Sequence, residues 1–216
     1  LAQTETMGGR CVDLSQRGEL QFLNVDRFPI RSSDTARVQE ITVVQICESL
    51  AVKRQPRILL EGIGLGTAMG KAVQMLEPRG RVVVAEAIPT IIEWQRTLMK
   101  PVPIPKEPEV LRILQQPLAQ SLQESPETFD GIILELDYAI DPFLESSAKP
   151  SHYLMPLALL KQALRERGQL AIHSEAKDVS LIKALEHAGF VVEHRMEAPH
   201  KRSKARKHHI TFARLR

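Results

Sequence analysis

The chain reads as an α/β protein built on a mainly parallel sheet, with a C-terminal antiparallel strand pair and a small N-terminal β-hairpin ahead of it. Three observations predict this class. After residue 56, short apolar runs alternate five times with amphipathic stretches, the pattern of strands covered by helices on both faces. A glycine-rich turn, "EGIGLG" at 61–66, follows the first of those runs. The last two apolar segments, "FVVEHRM" and "HHITFARL", alternate with period two on either side of a basic stretch, as paired antiparallel strands do.

The elements follow in order. "RCVDLSQ" and "LQFLNVDRF" alternate around "RGE", which predicts a hairpin over 10–30 that Pro29 ends; residues 1–32 form this N-terminal element. Val38, Ile41, Val44, Ile46 and Leu50 recur at near-helical spacing behind "SSD", so a helix is expected there, ended by Pro56. "RILLEG" is a buried strand and "TAMGKAVQML" a helix closed by "EPRG". "RVVVAEA" is the second strand of the series, and "PTIIEWQRTLM" a helix with Pro89 in its first turn and Trp94 packing on its apolar side. The proline-rich "KPVPIPKEPE" is a loop, "VLRIL" a strand, "PLAQSLQE" a short helix and "FDGIILELD" a strong strand. "SHYLMPLALLKQALRERG" is expected to be helical up to Gly168, "QLAIHS" a strand, and "DVSLIKALEHAGF" a helix stopped by Gly189.

At 216 residues and 43% hydrophobic content the chain has enough apolar material for one large packed unit. No apolar run reaches the roughly 18 residues of a membrane span, and "LAQTETMGGR" lacks the charged start and apolar centre of a signal peptide; a cytoplasmic protein with no membrane partner is expected. Cys11 and Cys47 are too few for a disulfide framework and have no Cys or His at metal-ligand spacing, so both are expected as buried thiols and no metal site is expected. The formal charge is +3, of which "HKRSKARKHH" at 200–209 supplies five Lys or Arg, leaving the remainder slightly acidic. That stretch is either a solvated hairpin loop or a patch for RNA, DNA or an acidic substrate.

Open sheets of this kind bind ligands at the carboxyl ends of their strands, where the strand order reverses. Gly62, Gly64 and Gly66 stand there and let backbone approach a ligand. Glu86 comes 20 residues after Gly66, at the end of the second strand, where a carboxylate accepts from both ribose hydroxyls. No Lys-Ser/Thr pair follows the glycines, so a triphosphate cradle is excluded, and the tight G-x-G-x-G spacing favours a mononucleoside over a dinucleotide.

"ILLEGIGLGTAMGKAVQML", "RVVVAEAIPTIIEWQRTL", "FDGIILELD" and "ALLKQALRERGQLAIHSEAKDVSLIKALEHAGF" together resemble the spermidine synthase-like branch of the class I S-adenosylmethionine-dependent methyltransferases, and the N-terminal hairpin resembles the small β element that precedes the catalytic domain in that branch. The resemblance implies a Rossmann-like methyltransferase domain over 33–216 and S-adenosylmethionine or its decarboxylated form as cofactor. It places Gly62, Gly64 and Gly66 along the amino-acid or aminopropyl portion, Glu86 on the ribose and Gln116 at the adenine, where the family usually has Asp in a "G-D" pair. Glu61 takes a place the family usually gives to glycine or an aliphatic residue, so it is expected to point away from the core or to pair with a basic group. Glu135 falls on the first Asp of the family's "D-[ST]-[ST]-D-P", which deprotonates and orients the attacking amine; here the chain reads "LELDYAIDP" instead. Asp137 shares a strand face with Glu135, so the two form a carboxylate rim for a cationic or amine acceptor. His152, Tyr153 and His173 are candidates for the acceptor pocket, each with packing as its other reading.

The implied function is methyl or aminopropyl transfer to a small amine-type molecule, with a homodimer implied by the branch. Two alternatives stay open: an RNA or protein methyltransferase gripping phosphate with the 200–209 loop, and a methyltransferase-fold binding subunit without turnover.

Overall fold

The structure is a computed structural model describing residues 1–6, 9–103, 105–136, 150–199 and 207–216, with the backbone alone for Pro150 and His152. Two sheets organise it. The first is antiparallel, in the order β1-β2-β3-β4, with β1 (Ala2–Glu5), β2 (Cys11–Arg17), β3 (Leu20–Val25) and β4 (Phe28–Ser32). The expected hairpin is its β2–β3 centre, flanked by two strands that the alternation did not announce. β4 runs through Pro29 rather than ending there. It is an edge strand, and the register slips between Leu23 and Asn24, opposite Pro29; edges and bulges are where a residue without an N–H is tolerated in a sheet.

The second sheet has seven strands in the order β10-β11-β9-β8-β5-β6-β7. Its parallel part consists of β5 (Arg57–Glu61), β6 (Arg81–Ala85), β7 (Leu111–Leu114), β8 (Phe129–Glu135) and β9 (Leu164–Ser174). β10 (Phe190–Glu197) and β11 (His208–Leu215) close it as the antiparallel pair the sequence predicts. Among the described residues, the α-helices are α1 (Ala36–Ser49), α2 (Thr67–Leu76), α3 (Pro89–Thr97), α4 (Leu118–Gln123), α5 (Leu154–Ala163) and α6 (Val179–His187).

Two helices stop earlier than their sequences suggest. α1 ends at Ser49, and the turn that follows carries Lys53 to within 3.4 Å of the buried Asp130 carboxylate. α5 ends at Ala163 rather than at Gly168, because Leu164 takes up extended backbone and pairs with Phe129 of β8. Arg165 then donates to Asp130 at 3.0 Å, and Arg167, at φ 59°, and Gly168 form an irregularity before the ladder resumes. A second counter-ion for Asp130 and a buried Leu164 outweigh one more helical turn.

The sheet has one buried layer on each face. β5 shows why its run is apolar throughout: Ile58 and Leu60 enter a cluster with α1, α2 and α3, while Leu59 enters the cluster with α4, α5 and α6. Val12, Leu14, Leu23 and Val25 of the N-terminal sheet belong to the first cluster, so that sheet shares a core with the domain behind it. Trp94 is buried there, as its helical spacing predicts, and so is Cys47, whose thiol burial pushes up to about 12. Cys11 departs from expectation: it is only partly buried on β2, and Gln3 donates to its Sγ at 2.9 Å. Among the described residues no helix is long and apolar enough to cross a membrane.

At Gly131 of β8 the sheet meets α1 closely. A Cβ there would stand 2.7 Å from Ile46 Cγ2 and 3.2 Å from Ile58 Cγ2, a collision a packed core relieves only by shifting. Gly131→Ala is expected to lower unfolding free energy by about 1–3 kcal/mol, read from urea titration with the slope unchanged; equal midpoints for the two proteins would show that α1 is not pressed against β8.

Candidate functional site

After β5 the chain builds β6 and β7 on one side of it, then crosses back to place β8 and β9 on the other. The reversal leaves a crevice at the carboxyl ends of β5, β6 and β8. Glu61, Glu86 and Glu135 all end there, with Gly62 and Gly64 between them and Arg31 from β4 above. The enclosed space is about 60 Å³.

The glycine turn has a distinct job at each position. Gly62, Gly64 and Gly66 have φ of 69°, 56° and 83°, left-handed values that side chains disfavour. A Cβ on Gly62 would lie 3.6 Å from Glu86 Oε2, and one on Gly64 would lie 3.7 Å from Arg31 Nε; these two glycines face the crevice. Gly66 does not. Its Cβ would meet Gln95 Oε1 at 2.5 Å and Val102 Cγ1 at 2.8 Å, so its bareness lets α2 start against α3 and the proline-rich loop. Of the three glycines expected along a ligand, Gly66 has a packing reason of its own.

Glu86 is 4% exposed. Its Oε2 accepts from the Ile63 N–H and its Oε1 from the Ile88 N–H, both at 2.9 Å. The carboxylate therefore pins the glycine turn to the start of α3, and two oxygens with about four acceptor sites between them are compatible with ribose hydroxyls in addition. Glu61 lines the crevice, and its Oε2 accepts from the backbone N–H of Glu135 at 2.9 Å, tying the end of β5 to the end of β8.

Glu135 is the centre of the charged network. Arg31 Nη2 stands 2.7 Å from its Oε2, Gln39 Nε2 donates to its Oε1 at 2.8 Å, and His173 Nδ1 lies 3.3 Å from Oε2. Burial alone would raise its pKa; the Arg31 charge, then His173 and Gln39, outweigh burial and bring it down to about 2. A carboxylate so firmly ionised is a weak proton acceptor, and here it is surrounded by Arg31, Gln39 and His173. His173 Nε2 continues the chain to His208 Nδ1 at 2.9 Å. Burial, and then the neighbouring His173, push His208 below its ordinary pKa, against the pull of Glu175 and Glu135.

The other expected residues divide. Gln116 turns its amide to Ser121 Oγ and Glu124 Oε2, both at 3.1 Å, and so braces α4 instead of lining the crevice. Tyr153 is fully buried and donates to Asp178 Oδ2 at 2.6 Å, the packing alternative. Asp137, the partner in the expected carboxylate rim, lies outside the described residues, as do the His152 side chain and 200–206 of the basic stretch. Arg31, Gln39 and His208 were not foreseen. Arg31 sits in an alternating edge strand and Gln39 on the polar flank of a helix; neither carries a local signal.

No protein-family model and no curated protein matches the chain by sequence. Solved structures match it in fold. Spermidine synthase from Thermotoga maritima is similar at TM-score 0.70 and 14% identity, over 99% of this chain and 71% of that one. A spermidine synthase in complex with the transition-state analogue AdoDATO is similar at TM-score 0.66 and 14% identity, over the same shares, 99% and 71%. MnmC2 from Aquifex aeolicus is similar at TM-score 0.57 and 21% identity, over 99% of this chain and 69% of that one. The fold is thus the Rossmann-like methyltransferase fold with an N-terminal β element, as the sequence resemblance implies.

The depressed pKa of Glu135 has a pH signature. Its native value, about 2, lies below the ordinary 4.5, so its contribution to stability is complete above about 4.5 and is lost as pH falls from there toward about 2. Glu135→Gln is expected to be less stable at pH 7 by on the order of 3 kcal/mol, and to show a flatter fall of stability between pH 4.5 and 2 than the parent. Parallel pH profiles in urea denaturation would rule out the ion-paired carboxylate.

Proposed function

We propose that the chain is a transferase that uses an S-adenosylmethionine-type cofactor and acts on a small amine-type acceptor. One observation carries the reading: a buried carboxylate at the end of β6, Glu86, braced against a left-handed glycine turn at the end of β5, at the point where the strand order reverses. A turn bare of Cβ atoms beside an acid at that register suits a nucleoside whose ribose hydroxyls donate to the acid. Gly62 and Gly64 leave the space that Cβ atoms would fill, which fits the approach of such a group. The likeness to a spermidine synthase solved with AdoDATO supports the same class.

When bound, a sulfonium cofactor supplies an electrophilic carbon, and the protein's task is chiefly alignment. Glu61, Glu86 and Glu135 face a crevice in which Arg31 is the cation among the described lining residues, so the field favours a positively charged ligand. Glu86 orients the nucleoside, Gly62 and Gly64 admit it, and Glu135 holds cations at the far wall. His173, hydrogen-bonded between Glu135 and His208, holds the Glu135 carboxylate in position on this wall.

Calorimetry tests the reading. The protein is expected to bind 5′-methylthioadenosine and S-adenosylhomocysteine, and Glu86→Gln, which keeps one carboxylate-like oxygen, is expected to weaken both about tenfold. Absence of binding to the parent protein at millimolar concentration would end the proposal. Binding without turnover over a broad screen of amines would move the chain to the non-catalytic alternative.

A further inference from the structure

Arg31 reaches the crevice from outside the seven-stranded sheet. It extends from β4 over the glycine turn, with Nε 3.7 Å from the place a Gly64 Cβ would occupy. Nη1 donates to its neighbour Ile30 O at 2.7 Å, Nη2 is 2.7 Å from Glu135 Oε2, and the side chain is 12% exposed. The sheet fixes where this pair lies along a bound ligand. Strand order runs β8-β5-β6; with the ribose at Glu86 on β6, the chain on the far side of the sulfur crosses Gly62 and Gly64 on β5 and ends at Glu135 on β8, beneath Arg31.

We infer that Arg31 and Glu135 form a zwitterionic receptor for an α-amino-acid terminus, so that the site selects S-adenosylmethionine over its decarboxylated form. The inference rests on the adenosyl reading given above and deepens it. Among the described residues the space in the crevice, about 60 Å³, is well below the roughly 300 Å³ of a small ligand pocket, and the Arg31–Glu135 pair lies across it, so a ligand tail reaching Glu135 has to displace that pair. An amino-acid terminus replaces both partners at once: its carboxylate takes Glu135's place on Arg31, and its ammonium takes Arg31's place on Glu135. Every buried charge remains paired. A decarboxylated chain ends in an ammonium alone; that group satisfies Glu135 and leaves the Arg31 guanidinium buried with no anion, the costly half of a broken ion pair. Gln39 and His173 hold the Glu135 carboxylate in place while its partner changes. Aminopropyl transfer needs the decarboxylated cofactor, so this selection excludes it for the chain.

Three ligands separate the inference from the reading beneath it. S-adenosylhomocysteine carries the whole zwitterion, its decarboxylated counterpart carries the ammonium alone, and 5′-methylthioadenosine carries neither. By calorimetry at pH 7.5 the parent protein is expected to bind S-adenosylhomocysteine about tenfold or more tightly than the decarboxylated compound. In Arg31→Met that preference is expected to vanish while 5′-methylthioadenosine affinity stays within about twofold, which also reports that the variant is folded; Arg31→Lys is expected to restore part of the preference. Equal or tighter binding of the decarboxylated compound by the parent protein overturns the inference, and so does a preference that survives in Arg31→Met. If none of the three binds the parent protein, the adenosyl reading itself fails and the role of Arg31 falls with it.

Discussion

The burial of one carboxylate, Glu135, sets terms for the rest of the molecule. A carboxylate taken to 12% exposure costs several kcal/mol unless cations and donors surround it. Here they come from three elements distant from Glu135 in sequence: Arg31 on β4, Gln39 on α1 and His173 on β9. Its backbone N–H is claimed by Glu61 at the end of β5. Two sheets and a helix are thereby held in one register around one anion. Apolar contact between Val12, Leu14 or Leu23 and the cluster behind them supplies area, but such contact is non-directional. The ion pair supplies the direction, and it makes the N-terminal sheet a wall of the crevice.

The three acids of that crevice illustrate how similar side chains acquire different work. Glu61 is turned to a backbone N–H and acts as a strap between β5 and β8. Glu86 accepts two backbone bonds and fixes the glycine turn. Glu135 is matched to the Arg31 guanidinium at contact distance, a charge that a ligand could exchange with. Among the described residues, the β8 end of the crevice carries the ion pair and the β6 end the hydrogen bonds that brace the glycine turn.

Much of the fold was legible because local chemistry and tertiary need agree. α2 begins after Gly66 and ends before Glu77-Pro78 as its apolar spacing and stop signals predict, and β5 and β8 are the continuous apolar runs that a strand covered on both faces requires. Legibility failed where a distant partner overrode the local signal. Gly168 reads as a helix stop, but Leu164 was claimed earlier by Phe129 and Arg165 by Asp130. Pro29 reads as a strand end, but it sits on an edge, where its missing N–H is tolerated. Gln116 has an amide suited to adenine, but Ser121 and Glu124 lie within its reach on the next helix.

The candidate site follows the same division, and with a consequence for function. Glycines and an acid at fixed spacing announce themselves because both are needed within one β-turn-α unit and the strand beside it; Gly62, Gly64 and Glu86 are of this kind. Such residues are also what the turn needs to fold, since Glu86 caps the N–H groups of Ile63 and Ile88 with or without a ligand. They define a class of cofactor and little more. What distinguishes one cofactor from a close relative lies at the other end of the crevice, where the groups come from β4, α1, β8 and β9. No spacing rule links Arg31 to Glu135 across 103 residues of intervening chain; only the packing of the N-terminal sheet against the seven-stranded one brings them together. A guanidinium buried over a bare glycine turn is a commitment to an anion, and in the closed crevice Glu135 meets it. Any ligand that displaces Glu135 without bringing an anion of its own must leave that commitment unmet, which is why the chemistry of this site turns on a residue outside the motif that reveals it.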